Sequence, residues 1–177
     1  RKFMGKPSEA SQVSLFCNTC ISIFRTCPSD TVAFTNVAGG TTIALSNAVD
    51  LDVTATFVTA ATKGTADAAS VSLSGVDMTA AGDAVLTISA GIETLNVNST
   101  GSANEIGDLV FGGTTLNITG DNNFTVDAGL DEAVSTIDAS TFTGKLDLTS
   151  VDDTTTPDAL SGTVDVVDLT VTGGSGN

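Results

Sequence analysis

The sequence predicts an all-β chain folded as a right-handed parallel β-solenoid of short strands. Three observations point there. Short apolar–polar–apolar bursts recur along residues 30–177, each followed by Gly, Asn or Asp. The apolar residues are thin: Trp, Tyr and His are absent, and Phe, with 8 copies, is the only aromatic. Val, Ile, Leu, Ala and Thr must therefore build the core, and β-branched residues of this kind suit narrow stacked layers. Finally, some bursts share a longer phrase at intervals of 20 to 30 residues, a spacing that suits the coils of a solenoid. An antiparallel β-sandwich, also made of short strands and frequent turns, is the alternative.

Taken in order, Leu51-Asp52-Val53-Thr54-Ala55 is the first clear burst. Val71-Ser72-Leu73, Val85-Leu86-Thr87-Ile88 and Leu95-Asn96-Val97 follow. Then come Leu116-Asn117-Ile118, Phe124-Thr125-Val126, Leu146-Asp147-Leu148 and Leu169-Thr170-Val171. The period of two buries one face of each. No apolar stripe at helical spacing is long enough for a helix, although Thr59 to Ala69 could form one turn before Gly64 interrupts it. Four bursts align as IETLNVNS, GTTLNITG, GKLDLTS and VVDLTVTG, with leading leucines Leu95, Leu116, Leu146 and Leu169 separated by 21, 30 and 23 residues. In a solenoid the inward Val, Ile and Leu would stack in files, while outward Thr and Asn could form polar ladders. Thr-x-Thr at a fixed period, the pattern of an ice-binding face, is not found.

Charge divides the chain. Residues 1–27 carry Arg1, Lys2, Lys6 and Arg25 against Glu9 alone, and they hold all three cysteines, Cys17, Cys20 and Cys27. The rest carries 20 of the 21 acidic residues against Lys63 and Lys145, within a net charge of −15. The expected organisation is a basic, cysteine-containing segment over residues 1–29, appended or disordered, then a solenoid domain over 30–177 truncated at its C-terminal end. The apolar run Val13 to Phe24 is shorter than the roughly 20 residues of a membrane span. Such an acidic body repels nucleic-acid phosphates and anionic membranes, and it attracts divalent cations. Neither a nucleic-acid partner nor a membrane span is expected.

Catalytic constellations are poorly supplied. Without His, neither a Ser-His-Asp nor a Cys-His arrangement can form. No phosphate-binding loop with a following Lys-Ser/Thr occurs. Cys17-Asn18-Thr19-Cys20 has metal-site spacing, but only Cys27 remains to complete a thiolate set. Oxygen ligands are more plausible. Gly173, Gly174, Gly176 and Asn177, in the closing Gly-Gly-Ser-Gly-Asn, form the first half of a calcium-binding glycine-rich turn that lacks its aspartate. Asp121 and Asn123, with Asp127 nearby, form a second oxygen cluster, for which an ordinary Asx turn between strands is the favoured reading. Asp152, Asp153 and Asp158 form a third.

Ala90 to Gly101 (AGIETLNVNSTG), Thr114 to Gly129 (TTLNITGDNNFTVDAG), Ser135 to Ser150 (STIDASTFTGKLDLTS) and Val167 to Asn177 (VDLTVTGGSGN) resemble the repeat regions of RTX-type surface-layer (S-layer) proteins of Gram-negative bacteria, of the Caulobacter-like kind. The likeness covers roughly residues 30–177. It implies a β-solenoid body, secretion to the cell surface, calcium-dependent folding or lattice assembly, and a structural rather than enzymatic role. The expected partners are further copies or neighbouring surface-layer subunits, together with cell-surface polysaccharide. A stalk or binding module of an RTX adhesin, or the non-catalytic repeat region of a secreted RTX hydrolase, are the alternatives. The chain departs from the family pattern in having no complete G-G-x-G-x-D-x-apolar-x repeat and no C-terminal secretion signal, and its complete calcium sites are expected outside this segment.

Overall fold

The computed structural model describes residues 12–14, 20–24, 30–80, 82–128, 130, 133–148 and 170–176. The strands are β1 (Gln12–Ser14), β2 (Cys20–Phe24), β3 (Asp30–Val37), β4 (Thr42–Ser46), β5 (Leu51–Phe57), β6 (Ala68–Ser74), β7 (Val85–Ile88) and β8 (Thr94–Thr100). They continue as β9 (Asn104–Ile106), β10 (Asp108–Phe111), β11 (Thr115–Gly120), β12 (Phe124–Val126), β13 (Thr136–Asp138), β14 (Leu146–Leu148) and β15 (Thr170–Thr172). They form a long sheet in the order β1-β2-β4-β6-β8-β11-β13-β15, a second sheet β10-β7-β5-β3 and a third sheet β14-β12-β9. Apart from β1 with β2, each strand pair is parallel.

The chain visits the three sheets in turn and climbs one strand spacing, about 4.8 Å, per coil. The result is a parallel β-solenoid of about five turns. Parallel pairing between residues 20 to 34 apart excludes the antiparallel sandwich. The expected seam near residue 30 falls between β2 and β3, and β2 pairs in register with β4, Ile21 opposite Ile43.

Three walls enclose a core one side chain deep. In the long sheet Ile43, Val71, Val97 and Ile118 are consecutive register partners. Val53, Leu86, Leu109 and Leu130 do the same in the second sheet. In the third, Ile106 stacks on Val126 and Val126 on Leu148. All of these are buried except Leu148, which is partly so. Each fully buried side chain stabilises the stack by about 1.5–3 kcal/mol over leaving it exposed, and each coil closes the core of the one before.

Corners reuse the same chemistry. Ser46, Ser74 and Thr100 are register partners, and the residues after them, Asn47, Gly75 and Gly101, have φ of 49°, 65° and 75°. A left-handed residue turns the chain from the long sheet into the third, and Gly and Asn reach that conformation at least cost. The helical turn expected within Thr59–Ala69 is a short 3-10 turn over Thr59–Ala61.

The repeat phrase needs correction. Leu95 and Leu116 are register partners, as their shared phrase suggests. The next residue in that file is Ile137, only 21 residues on, in a three-residue strand with no leucine. Leu146 instead pairs with Phe124 in the third sheet. Similar words thus lie on different walls, because any half-buried strand of this composition reads apolar–polar–apolar. Leu169 lies outside the described residues, and the following Val171 pairs with Ile137. Five strands between residues 30 and 140 have no counterpart among the bursts: β3, β4, β9, β10 and β13. β9 is masked by Asn104, a polar residue at an inward position, and β3 by a bulge between Phe34 and Val37 that breaks its period.

Candidate functional site

The corner from the long sheet to the third sheet holds Asp121, Asn123, Gly173, Gly174 and Gly176 of the expected oxygen ligands. Asp121 and Asn122 both donate backbone N–H to the Ser99 carbonyl, at 3.1 and 3.3 Å. The Asp121 carboxylate accepts the Asn122 side-chain amide at 2.7 Å. Asn123 Oδ1 accepts the backbone N–H of Lys145, one coil further on, at 3.0 Å. Asn123 therefore spends its carbonyl on the stack. Asp127 lies beyond the other end of β12, where its N–H donates to the Ile106 carbonyl at 3.0 Å. The three-residue strand β12 lies between it and Asn123, and four residue steps of about 3.3 Å set the two about 13 Å apart, so the structure does not bring these side chains to one point.

Gly173, Gly174 and Gly176 follow β15 and return to the same corner. Ser175 donates its N–H to the Phe142 carbonyl at 3.1 Å. A Cβ at Gly174 would meet the carbonyls of Phe142 and Ala139, and one at Gly176 that of Gly144. Gly144 is in turn crowded by the Asn122 carbonyl below it. Gly174 and Gly176 therefore have a packing reason to be there, backbone lying on backbone with no room for a side chain, whereas a Cβ at Gly173 would meet nothing within 4 Å. Two of the three expected oxygen clusters thus share one corner, separated by the coil through Gly144. Asn177, and the third cluster Asp152, Asp153 and Asp158, lie outside the described residues. Among the described residues no group of three or more His, Cys, Asp or Glu could hold a metal ion.

The structure also pairs carboxylates that sequence reasoning missed. Asp77 and Glu105 are bridge partners on adjacent coils of the third wall. With Asn123, Thr125 and Lys145 they line a shallow groove of about 250 Å³. Lys145 holds Asp147 at 3.0 Å, both side chains being exposed. Only the 28-residue coil length puts Asp77 beside Glu105, and a reader of the sequence would have to know that length first.

A buried polar lock fixes this corner from inside. Asn104 is 1% exposed and Ser99 0%. Asn104 Oδ1 accepts the Val76 N–H at 3.0 Å. Its amide donates to Ser99 Oγ at 2.7 Å and to the carbonyls of Ser102 and Thr100 at 2.9 and 3.2 Å. Ser99 Oγ lies 2.9 Å from the Asn122 carbonyl, to which it donates.

The outer faces differ in charge. On the second sheet Asp52 and Asp108 flank Val85 in one outward file. Asp77, Glu105 and Asp147 lie along the third. The long sheet is different. From β4 to β13 its outward positions carry Thr, Ser, Asn and Ala, with Asp138 the one charged residue. Thr94, Thr115 and Thr136 stand in one file, which Thr170 continues by register. In the next file the Asn117 amide donates to Asn96 Oδ1 at 2.9 Å, and that of Asn96 to the Ala69 carbonyl at 3.2 Å. Thr119 Oγ1 lies 3.3 Å from the Val97 carbonyl. These are the polar ladders the composition suggested.

Among the described residues, fold and surface together define a parallel β-solenoid with two acidic walls and, from β4 to β13, one nearly uncharged wall. No protein family, curated protein or solved structure matches the chain. No helix among the described residues is long and apolar enough to cross a membrane.

Proposed function

We propose that the chain is a structural, non-catalytic β-solenoid segment of a secreted bacterial surface protein of the S-layer or RTX type. Its work is to extend and to contact neighbouring subunits in a cell-surface array. The observation that carries this reading is the stack itself. From β4 to β13 the long sheet grows by one in-register strand per coil, and its outward positions there carry mostly short polar side chains.

Calcium enters the reading as an ion of assembly, drawn to the carboxylate-rich walls and corners, not as the ion on which the described coils fold. On this view calcium at about 1 mM, in the range of extracellular calcium modules, leaves the far-ultraviolet circular dichroism of the chain nearly unchanged. A coil-to-β transition on adding calcium would show that the fold itself needs the ion. The function is tested in the producing cells. Antibody against residues 30–148 should label intact cells, and chelator or acid washing should release the labelled protein from their surface. Recovery from the cytosol alone would overturn the proposal.

A further inference from the structure

The asymmetry of charge points to one face as a contact surface. We infer that the outer face of the long sheet is where this chain docks a second copy of itself, sheet face against sheet face. The inference rests on the structural reading above and names the partner and the surface.

Two copies of a chain with net charge −15 repel one another. Approach through the second wall would set Asp52 and Asp108 against a like surface, and approach through the third would do so with Asp77 and Glu105, Asp147 being paired with Lys145. The long-sheet face from β4 to β11 carries no charge at its outward positions, and β13 adds only Asp138. Its side chains are short, so two such faces can come close without steps between them. Its hydroxyls and amides both donate and accept, so a two-fold pairing is chemically self-complementary. A sugar polymer is the weaker fit, because these strands offer no aromatic ring for it to stack on.

Area sets the strength. Five strands at about 4.8 Å, each up to seven residues of about 3.3 Å, cover roughly 500 Å² per copy. The total of about 1,000 Å² falls below the standard range for stable complexes and suits a weak, reversible contact. Asp67 and Glu93 precede β6 and β8, and Asp121 follows β11, so carboxylates rim the face. Salt screens such rim charges over about 10 Å at 0.1 M. Association should therefore strengthen as salt rises.

Sedimentation equilibrium of the full 177-residue chain tests this. The expected result is a concentration-dependent dimer that tightens between about 0.02 and about 0.5 M NaCl. Asn98→Glu, at an exposed position near the middle of the face, should weaken it by about tenfold or more. Thr87→Glu, on the second wall, should leave it unchanged. Circular dichroism confirms that each variant is folded, and Thr119→Glu replaces Asn98→Glu if that variant is not. A chain that stays monomeric at every salt overturns the inference, as does equal weakening by the two walls' variants. So does a monomer that binds dextran through this face. None of these results touches the cell-surface test, so the two readings fail separately.

Discussion

Replacing Asn104 with Ala should cost more stability than any exposed polar substitution in this chain. The side chain sits inside the stack at a position where neighbouring coils place apolar residues, and it is 1% exposed. Asn104→Ala leaves the buried Val76 N–H, now 3.0 Å from Oδ1, without that acceptor. It also removes the donor that Ser99 Oγ and the Thr100 and Ser102 carbonyls share. An orphaned buried N–H alone costs about 1–3 kcal/mol, and breaking a connected network adds to it. The expected loss is about 2–4 kcal/mol. With a urea slope near 2 kcal/mol/M, the midpoint falls by about 1–2 M. The comparison is Asn98→Ala on the outward side of β8, where only a 3.4 Å contact from Thr119 is lost. That variant should stay within about 0.5 kcal/mol of the natural chain. Equal midpoints for the two variants would refute the assignment of Asn104 as an internal lock.

Further outcomes follow from the same structure. Gly120 has φ of 111°, and a Cβ there would meet the Ser99 backbone; Gly120→Ala should cost about 2–4 kcal/mol in chemical denaturation. Asp147→Ala breaks the exposed pair with Lys145 and should change stability by less than about 1 kcal/mol, with the difference vanishing at high salt. The Ser140 backbone N–H, 2.9 Å from Asp138 Oδ1, and then the Ser140 hydroxyl hold the Asp138 carboxyl below the usual aspartate value. A depressed folded pKa means that this contribution to stability is present above the unfolded pKa and lost as pH falls through the folded one. Titration of the Asp138 carboxyl by NMR should show a midpoint below that of a free aspartate. Ser140→Ala, which keeps the backbone bond, should return it only part of the way.

Residue chemistry determined the class of fold and little of its register. Period-two bursts bounded by Gly, Asn and Asp specify half-buried strands, and thin β-branched side chains specify a narrow core. Together with the 20-to-30-residue spacing of the repeated phrase these pointed to a parallel solenoid, with an antiparallel sandwich as the alternative that strand pairing then excluded. Which burst lies on which wall was not, since Leu95, Leu116 and Leu146 occupy near-identical phrases yet only the first two share a file. Coil length varies, with Ile43, Val71, Val97 and Ile118 separated by 28, 26 and 21 residues. No fixed period therefore translates sequence distance into stacking. The candidate ligands divide in the same way. Their residue types announced oxygen chemistry, whereas the stack decided that Asn123 holds Lys145, that Gly174 and Gly176 are packed against carbonyls, and that Asp127 stands apart. Only the tertiary structure segregates the charge. An outward position is defined by local alternation, but the wall it faces is fixed by the coils above and below. The acid-poor face thus exists only once the coils are stacked.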